Sequence, residues 1–327
     1  MEYTTLGHSG LTVSRLCLGC MSFGEPRRGI PSWSLAEEES TGFVKGALDA
    51  GVTFFDTANF YSDGTSEEYL GRALKSLTRR DNVVITTKVW ENMGPLPNGR
   101  GLSRGAILTQ VDASLRRLGT DYIDLYVIHR ADPHTPWEET LQTLDDLVRA
   151  GKVRYIGASA MRAWQFAKAL FLQQRHGWAQ FVSMQNHYNL LYREEEREMI
   201  PLCVDQGVGV TPFSPLARGL LARPWAEVTG RSTTDPTLER RYGERDRPVV
   251  DAVAKVADRH GVPMAHVSLA WLLSKPGVVA PVVGTTKPRH LEDALAGLDL
   301  RLSNEDMAEL ESPYEPHEFN WIAEPDD

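Results

Sequence analysis

Apolar, strand-like runs alternate with amphipathic, helix-like stretches eight times along the chain, and no other feature narrows its possible folds as far. LCLGC is followed by a helical pattern over 35–50, FFDTA by 65–77, VVITTKV by 103–118 and YIDLYVIH by 136–150. VRYIGAS precedes 162–174 and FVSMQ precedes 193–206. GVGVTPFS leads through a long loop to 246–260, and VVAPVVG precedes 288–297. Short apolar runs separated by helices suit parallel strands covered on both faces. Eight such units in 327 residues predict a closed (β/α)8 TIM barrel, with an open doubly wound sheet as the competing topology. No linker interrupts the pattern, so residues 1–327 are expected to form a single domain. Residues 3–15 alternate around a Gly-containing turn and predict an N-terminal β-hairpin that plugs the amino-terminal end of the barrel. The C-terminal tail from Ser312 carries Phe319 and Trp321 without periodicity, which predicts apolar docking on the body.

The barrel prediction gives meaning to three ionisable strand ends. The run Phe54–Phe55 ends in Asp56, with Tyr61 in the loop beyond; Val83–Thr87 ends in Lys88; Tyr122–Ile128 ends in His129. Alone, Asp56 could pin a loop and Tyr61 could pack with its hydroxyl in water. A lysine closing a buried strand is harder to explain as packing, because its ammonium is almost never buried without a partner. In barrels of this kind the carboxyl ends of the strands form the active face, which would gather Asp56, Lys88 and His129.

Composition narrows the function class. With 42% hydrophobic and 24% charged residues, the chain is neither disordered nor fibrous. A net charge of −9 with scattered Lys and Arg argues against nucleic acid as a partner. No apolar stretch is long enough to span a bilayer and no basic-then-apolar leader is visible, so a cytoplasmic protein without a membrane partner is expected. Three cysteines fit a reducing compartment. Cys17 and Cys20 lie three apart on a strand and face opposite ways, as core thiols and not as a metal pair, so no metal is expected. Neither G-x-G-x-x-G nor a Walker sequence occurs, which removes the usual strand–glycine-loop phosphate sites.

FFDTANFYSDGTSEEYLGRAL, ITTKV, SLRRLGTDYIDLYVIHR, GKVRYIGAS, SMQNHYNLL and PFSPLARGLL together resemble the aldo-keto reductase superfamily. The match covers nearly the whole chain. It is closest to the bacterial and fungal branch with aryl-alcohol dehydrogenase-like and pyridoxal reductase-like members. The resemblance implies NAD(P)H-dependent carbonyl reduction, with Asp56, Tyr61, Lys88 and His129 as the catalytic tetrad. A free tyrosine has a pKa of about 10, and a nearby ammonium favours its phenolate. Tyr61 would then be the general acid, Lys88 would tune it, Asp56 would anchor Lys88, and His129 would orient the carbonyl.

By the same resemblance, Ser159 and Gln185, with Asn186 beside them, would hold the nicotinamide carboxamide, and Phe213 would stack on the ring. Backbone at Ser214, Leu216, Arg218 and Gly219 would line the pyrophosphate. The last strand end, Gly284, Thr285, Thr286, Lys287, His290 and Asp293, would take the adenosine end. A basic loop at a helix N-terminus favours the 2′-phosphate of NADPH, with NADH the lesser alternative. One departure is Ala160, where many relatives carry an Asn that contacts the carboxamide. Phe23, Trp90, Tyr61 and Tyr188 are candidates for an aromatic substrate mouth, with Trp33, Phe319 or Trp321 contributed by neighbouring segments, and the segments 22–34, 91–102 and 217–245 are candidate loops around it. The expected substrate is a small aldehyde, ketone or alcohol, aromatic or apolar. Alternatives from other classes are a non-catalytic NADPH-binding regulatory subunit of the same fold and a Schiff-base lyase using Lys88.

Overall fold

A computed structural model describes residues 1–319 apart from 30, 32, 95–97, 228 and 230–234. The chain opens with an antiparallel hairpin of β1 (Tyr3–Thr5) and β2 (Thr12–Ser14). Strand and helix then alternate as β3 (Cys17–Gly19), α1 (Glu37–Asp49), β4 (Phe54–Asp56), α2 (Thr65–Leu77), β5 (Val84–Val89) and α3 (Arg104–Leu118). Next come β6 (Ile123–Ile128), α4 (Trp137–Arg149), β7 (Val153–Ser159), α5 (Ala163–His176), β8 (Phe181–Gln185), α6 (Met199–Asp205) and β9 (Gly209–Val210). The last third holds α7 (Pro236–Arg241), α8 (Arg247–His260), α9 (Met264–Leu273), β10 (Val282–Gly284), α10 (Pro288–Ala296) and α11 (Asn304–Glu311).

The eight strands β3 to β10 pair in parallel, with β10 beside β3 and the others in chain order. Bridges from Val210 to Val278 and from Phe213 to Val282 bring the two ends of this sheet together, and the (β/α)8 barrel closes. The expected seventh strand, GVGVTPFS, is reduced to Gly209–Val210 and the Phe213 bridge because Pro212 has no N–H to donate. Its carbonyl still accepts from Val282 N at 2.8 Å.

Two apolar layers hold the barrel. Inward-facing Cys17, Phe54, Val84, Leu125 and Val127 pack on Leu6 and Val13 of the hairpin, which therefore plugs the amino-terminal end as expected. The turn at Gly7 must be glycine: its φ is +59°, and a Cβ there would meet Gly207 O at 2.4 Å. Cys20 belongs to the outer layer between sheet and helices, so the two thiols do face opposite ways. Both are buried, and burial raises each well above its ordinary pKa.

Helical details differ from expectation, beginning with α7, which lies inside the loop expected over 217–245. The pattern over 193–206 breaks into a 3-10 turn at Glu194–Glu196 and α6. Helix α9 had no counterpart in the sequence reading, because eight of its ten residues are buried and it has no polar face for periodicity to reveal. Helix α11 was also missed, although Ser303 and Asp306 form a reciprocal capping box at its start.

Candidate active site

Strand register sets the site. Asp56 pairs with Thr86, Lys88 with Val127, Val89 with Ile128 and Ser159 with Gln185, so these carboxyl ends share one rim. His129 follows one residue beyond, its N–H donating to Val89 O at 2.9 Å. Tyr61 is delivered by the loop after β4, which turns through the left-handed residues Ser62 and Asp63 into α2.

The four sequence-predicted catalytic residues converge. Lys88 is fully buried and donates from Nζ to Asp56 Oδ1 at 2.5 Å and to Thr57 O at 2.7 Å. The same ammonium lies 3.5 Å from the Tyr61 hydroxyl. The Tyr61 ring meets the His129 ring edge-on at 6.1 Å, with Phe60 packed 4.9 and 5.3 Å from the two. Asp56 has a second partner that the sequence did not reveal: Gln185 Nε2 donates to its other oxygen at 2.8 Å.

Charge at this rim is set by burial and by neighbours. Burial, the largest influence, would lower the Lys88 pKa, but Asp56 and Tyr61 together outweigh it and the ammonium is held above its ordinary value. Burial raises the Tyr61 phenol and outweighs the downward pull of Lys88, so the expected net depression is absent. His129 is pushed well below its usual range by burial, then by Lys88 and Arg130. The site therefore pairs a charged lysine with a protonated phenol and a neutral imidazole.

Asp56, Tyr61 and His129 line a cavity of about 1160 Å³ that runs along the barrel rim to α8, α9 and α10. Ser159, Gln185, Phe213, Ser214, Leu216, Arg218 and Gly219 line its middle, and Gly284, Thr286, Lys287, His290 and Asp293 its far end. Ser214, Ala217, Arg218 and Gly219 all have positive φ, which turns the loop into a tight concave wall. Arg218 is ion-paired with Asp235. Ala160 also lines the cavity at φ +42°, a left-handed conformation that asparagine tolerates better.

Several expected contacts do not reach the cavity. Asn186 is buried off its wall and accepts from Phe213 N at 2.9 Å through its carbonyl. Thr285 is fully buried, its carbonyl bound to Ser22 Oγ at 2.9 Å. Phe23 and Tyr188 are core residues: Phe23 stacks on Phe43, and the Tyr188 hydroxyl donates to Glu196 at 2.5 Å. Trp90 is buried beneath the guanidinium groups of Arg100 and Arg130, 4.3 and 5.5 Å from its ring. Aromatics of core and mouth share one sequence signature, since both favour burial. Of the expected aromatics Trp33 and Tyr61 do line the cavity, and the apolar mouth is completed by Met21 and Phe60, with the Glu91–Arg130 ion pair at 3.7 Å. Arg289, at the same end, lies 3.3 Å from Asp293. Phe319 lies 5.9 Å from the Arg162 guanidinium, and Trp321 falls outside the described residues.

Comparison with known proteins gives a consistent result. The model of the Aldo/keto reductase family matches residues 15–315. A versiconal hemiacetal acetate reductase of Aspergillus parasiticus is 46% identical, over 97% of this chain and 98% of that protein. A Schizosaccharomyces pombe protein bearing an aryl-alcohol dehydrogenase name is 45% identical over 96% of both chains. The Alternaria alternata aldo-keto reductase AMT2 is 44% identical, over 95% of this chain and 91% of the relative.

Proposed function

The chain belongs to the aldo/keto reductase family of oxidoreductases, which generally use NAD(P)H, and we propose that it reduces an aryl or otherwise apolar aldehyde or ketone with NADPH through Tyr61. The observation that carries this reading is the buried Lys88 ammonium, bonded to Asp56 and 3.5 Å from the Tyr61 hydroxyl at the wall of a dinucleotide-sized cavity.

The bound dinucleotide supplies the hydride. The remaining chemistry falls to the chain. As negative charge grows on the carbonyl oxygen, the Tyr61 O–H donates its proton, and Lys88 stabilises the phenolate left behind. Asp56 offsets the burial of Lys88 and is itself held by Gln185. Neutral His129 can hydrogen-bond the carbonyl oxygen and orient it. Met21, Trp33 and Phe60 exclude water and suit the aromatic substrate that the second relative's name indicates.

Residues are present to hold each part of the cofactor. Ser159 and Phe213 flank the nicotinamide end, and the positive-φ loop Ser214–Gly219 suits a pyrophosphate. Lys287, Thr286 and the N-terminus of α10 suit a 2′-phosphate, and Lys287 has no ion-pair partner among the described residues. The test is oxidation of NADPH and NADH by purified protein against aromatic and aliphatic aldehydes and ketones. The reading predicts turnover with aryl aldehydes and a lower KM for NADPH; no turnover of any carbonyl with either dinucleotide would reject it.

A further inference from the structure

A buried phenol ties the segment after the Ser214–Gly219 loop back to the barrel, and the tie ends on two residues of the cavity wall. The inference rests on the dinucleotide reading above. Tyr242 lies just beyond α7, with its hydroxyl 2.8 Å from His187 Nε2 and 3.1 Å from Asn189 Nδ2; all three residues are buried. Asn189 Nδ2 also donates to Ser214 O at 2.9 Å. Its Oδ1 accepts from Leu191 N at 2.8 Å and from Tyr192 N at 3.1 Å, which fixes the orientation of the amide. Asn189 Nδ2 also lies 3.3 Å from His187 Nε2. With His187 Nε2 as the acceptor the set is satisfied: Asn189 gives one hydrogen to Ser214 O and the other toward the Tyr242 oxygen, and Tyr242 gives its own to His187.

The His187 ring carries the tie onward. It stacks on Phe213 at 5.4 Å and 14°, and on Tyr192 at 4.4 Å and 17°. Phe213 and Ser214 both line the cavity, and Ser214 keeps φ at +53°, a conformation that persists only where its surroundings over-determine it. We propose that Tyr242, acting through Asn189 and His187, is a positioning residue for the dinucleotide, holding the Phe213 ring and the Ser214 backbone where the nicotinamide end is received. A second tie secures the start of α8 independently: Asp246 Oδ1 lies 2.8 Å from His317 Nε2, and Asp246 Oδ2 accepts from Gly243 N at 2.8 Å. Removing the phenol hydroxyl therefore loosens the cavity side of the segment and leaves its root anchored.

Tyr242→Phe keeps the packed ring and removes the hydroxyl. Asn189→Asp keeps the acceptor for Leu191 and Tyr192 and removes both amide hydrogens. For each variant, NADPH affinity is measured by fluorescence titration, thermal unfolding is followed without cofactor, and steady-state constants are determined. The expected result is a rise of about five-fold or more in the NADPH dissociation constant and KM, with a smaller fall in kcat. NADPH binding within about two-fold of wild type in both variants overturns the proposal, even if their unfolding temperatures drop. A wild-type protein that binds neither dinucleotide overturns the reductase reading and this tie with it, an outcome distinct from normal wild-type binding with unaltered variants.

Discussion

At the residue scale, Lys88 stays charged without contact with water because three oxygens surround its ammonium: Asp56 Oδ1, Thr57 O and the Tyr61 hydroxyl. Only the carboxylate carries full charge, so the ammonium keeps its proton while the Tyr61 phenol, raised by burial, keeps its own. The pH dependence follows from these signs. Under the proposed role of Tyr61, reduction needs the protonated phenol, so kcat/KM for a carbonyl should stay flat from about pH 6 to about pH 9 and fall only above about 10. Alcohol oxidation needs the phenolate and should still be rising at about pH 10. A reductive profile that halves between about pH 7 and 8 would contradict the raised phenol. His129 contributes with the opposite sign to stability: its folded-state pKa is depressed, so the unfolded chain takes up the proton first. Its share of stability is present above about pH 6.5 and lost as pH falls toward the folded value. Asp56, Lys88 and His129 were legible in the sequence because an ionisable residue ending an apolar run is anomalous. Gln185 as the second partner of Asp56 was not, since a neutral amide 129 residues away leaves no local trace.

At the scale of elements, the loop that presents Tyr61 is pinned through α2. Glu67 on α2 is fully buried, accepting from Thr87 Oγ1 of β5 at 2.6 Å and from Arg117 Nε of α3 at 2.6 Å. Arg117 also lies under Gly64, where a Cβ would meet its Cδ at 2.7 Å and where φ is +87°. Arg117→Leu leaves a buried carboxylate without its counter-charge and should cost about 3–5 kcal/mol in urea denaturation. Adding Glu67→Gln to that variant should restore part of the loss. A single-variant loss below about 1 kcal/mol would mean that water reaches Glu67. Periodicity found the amphipathic helices of the outer ring, but it fails wherever a helix has no polar face. Helix α9 is the instance: Trp271 is wholly buried and its Nε1 donates to Glu311 on α11 at 2.8 Å.

At the scale of the whole molecule, closure of the barrel brings β10 beside β3 and so carries the Thr286–Lys287 end of the cavity round to the tetrad's rim. A ligand that spans both ends couples to global unfolding. At about a hundred times its dissociation constant it adds about 2.7 kcal/mol to unfolding, a rise of roughly 4 °C in Tm for a chain of this size. NADPH should produce this rise, and NADH at equal concentration a smaller one; equal shifts would remove Lys287 as a 2′-phosphate contact. The repeating order of strands and helices was readable because each unit buries its own apolar face. The way the mouth is assembled was only partly readable: Trp33 was a candidate, but Met21, Phe60 and Arg130 meet it only once the barrel has closed.

The central claim is that Tyr61 supplies the proton. Tyr61→Phe removes one oxygen and leaves the ring against Phe60 and His129. Single-turnover reduction of an aryl aldehyde by this variant, with NADPH binding measured on the same sample, tests the claim most directly. The account predicts near-normal NADPH affinity and a fall in carbonyl reduction of at least about 100-fold. Turnover within about three-fold of wild type, with cofactor bound normally, would contradict it.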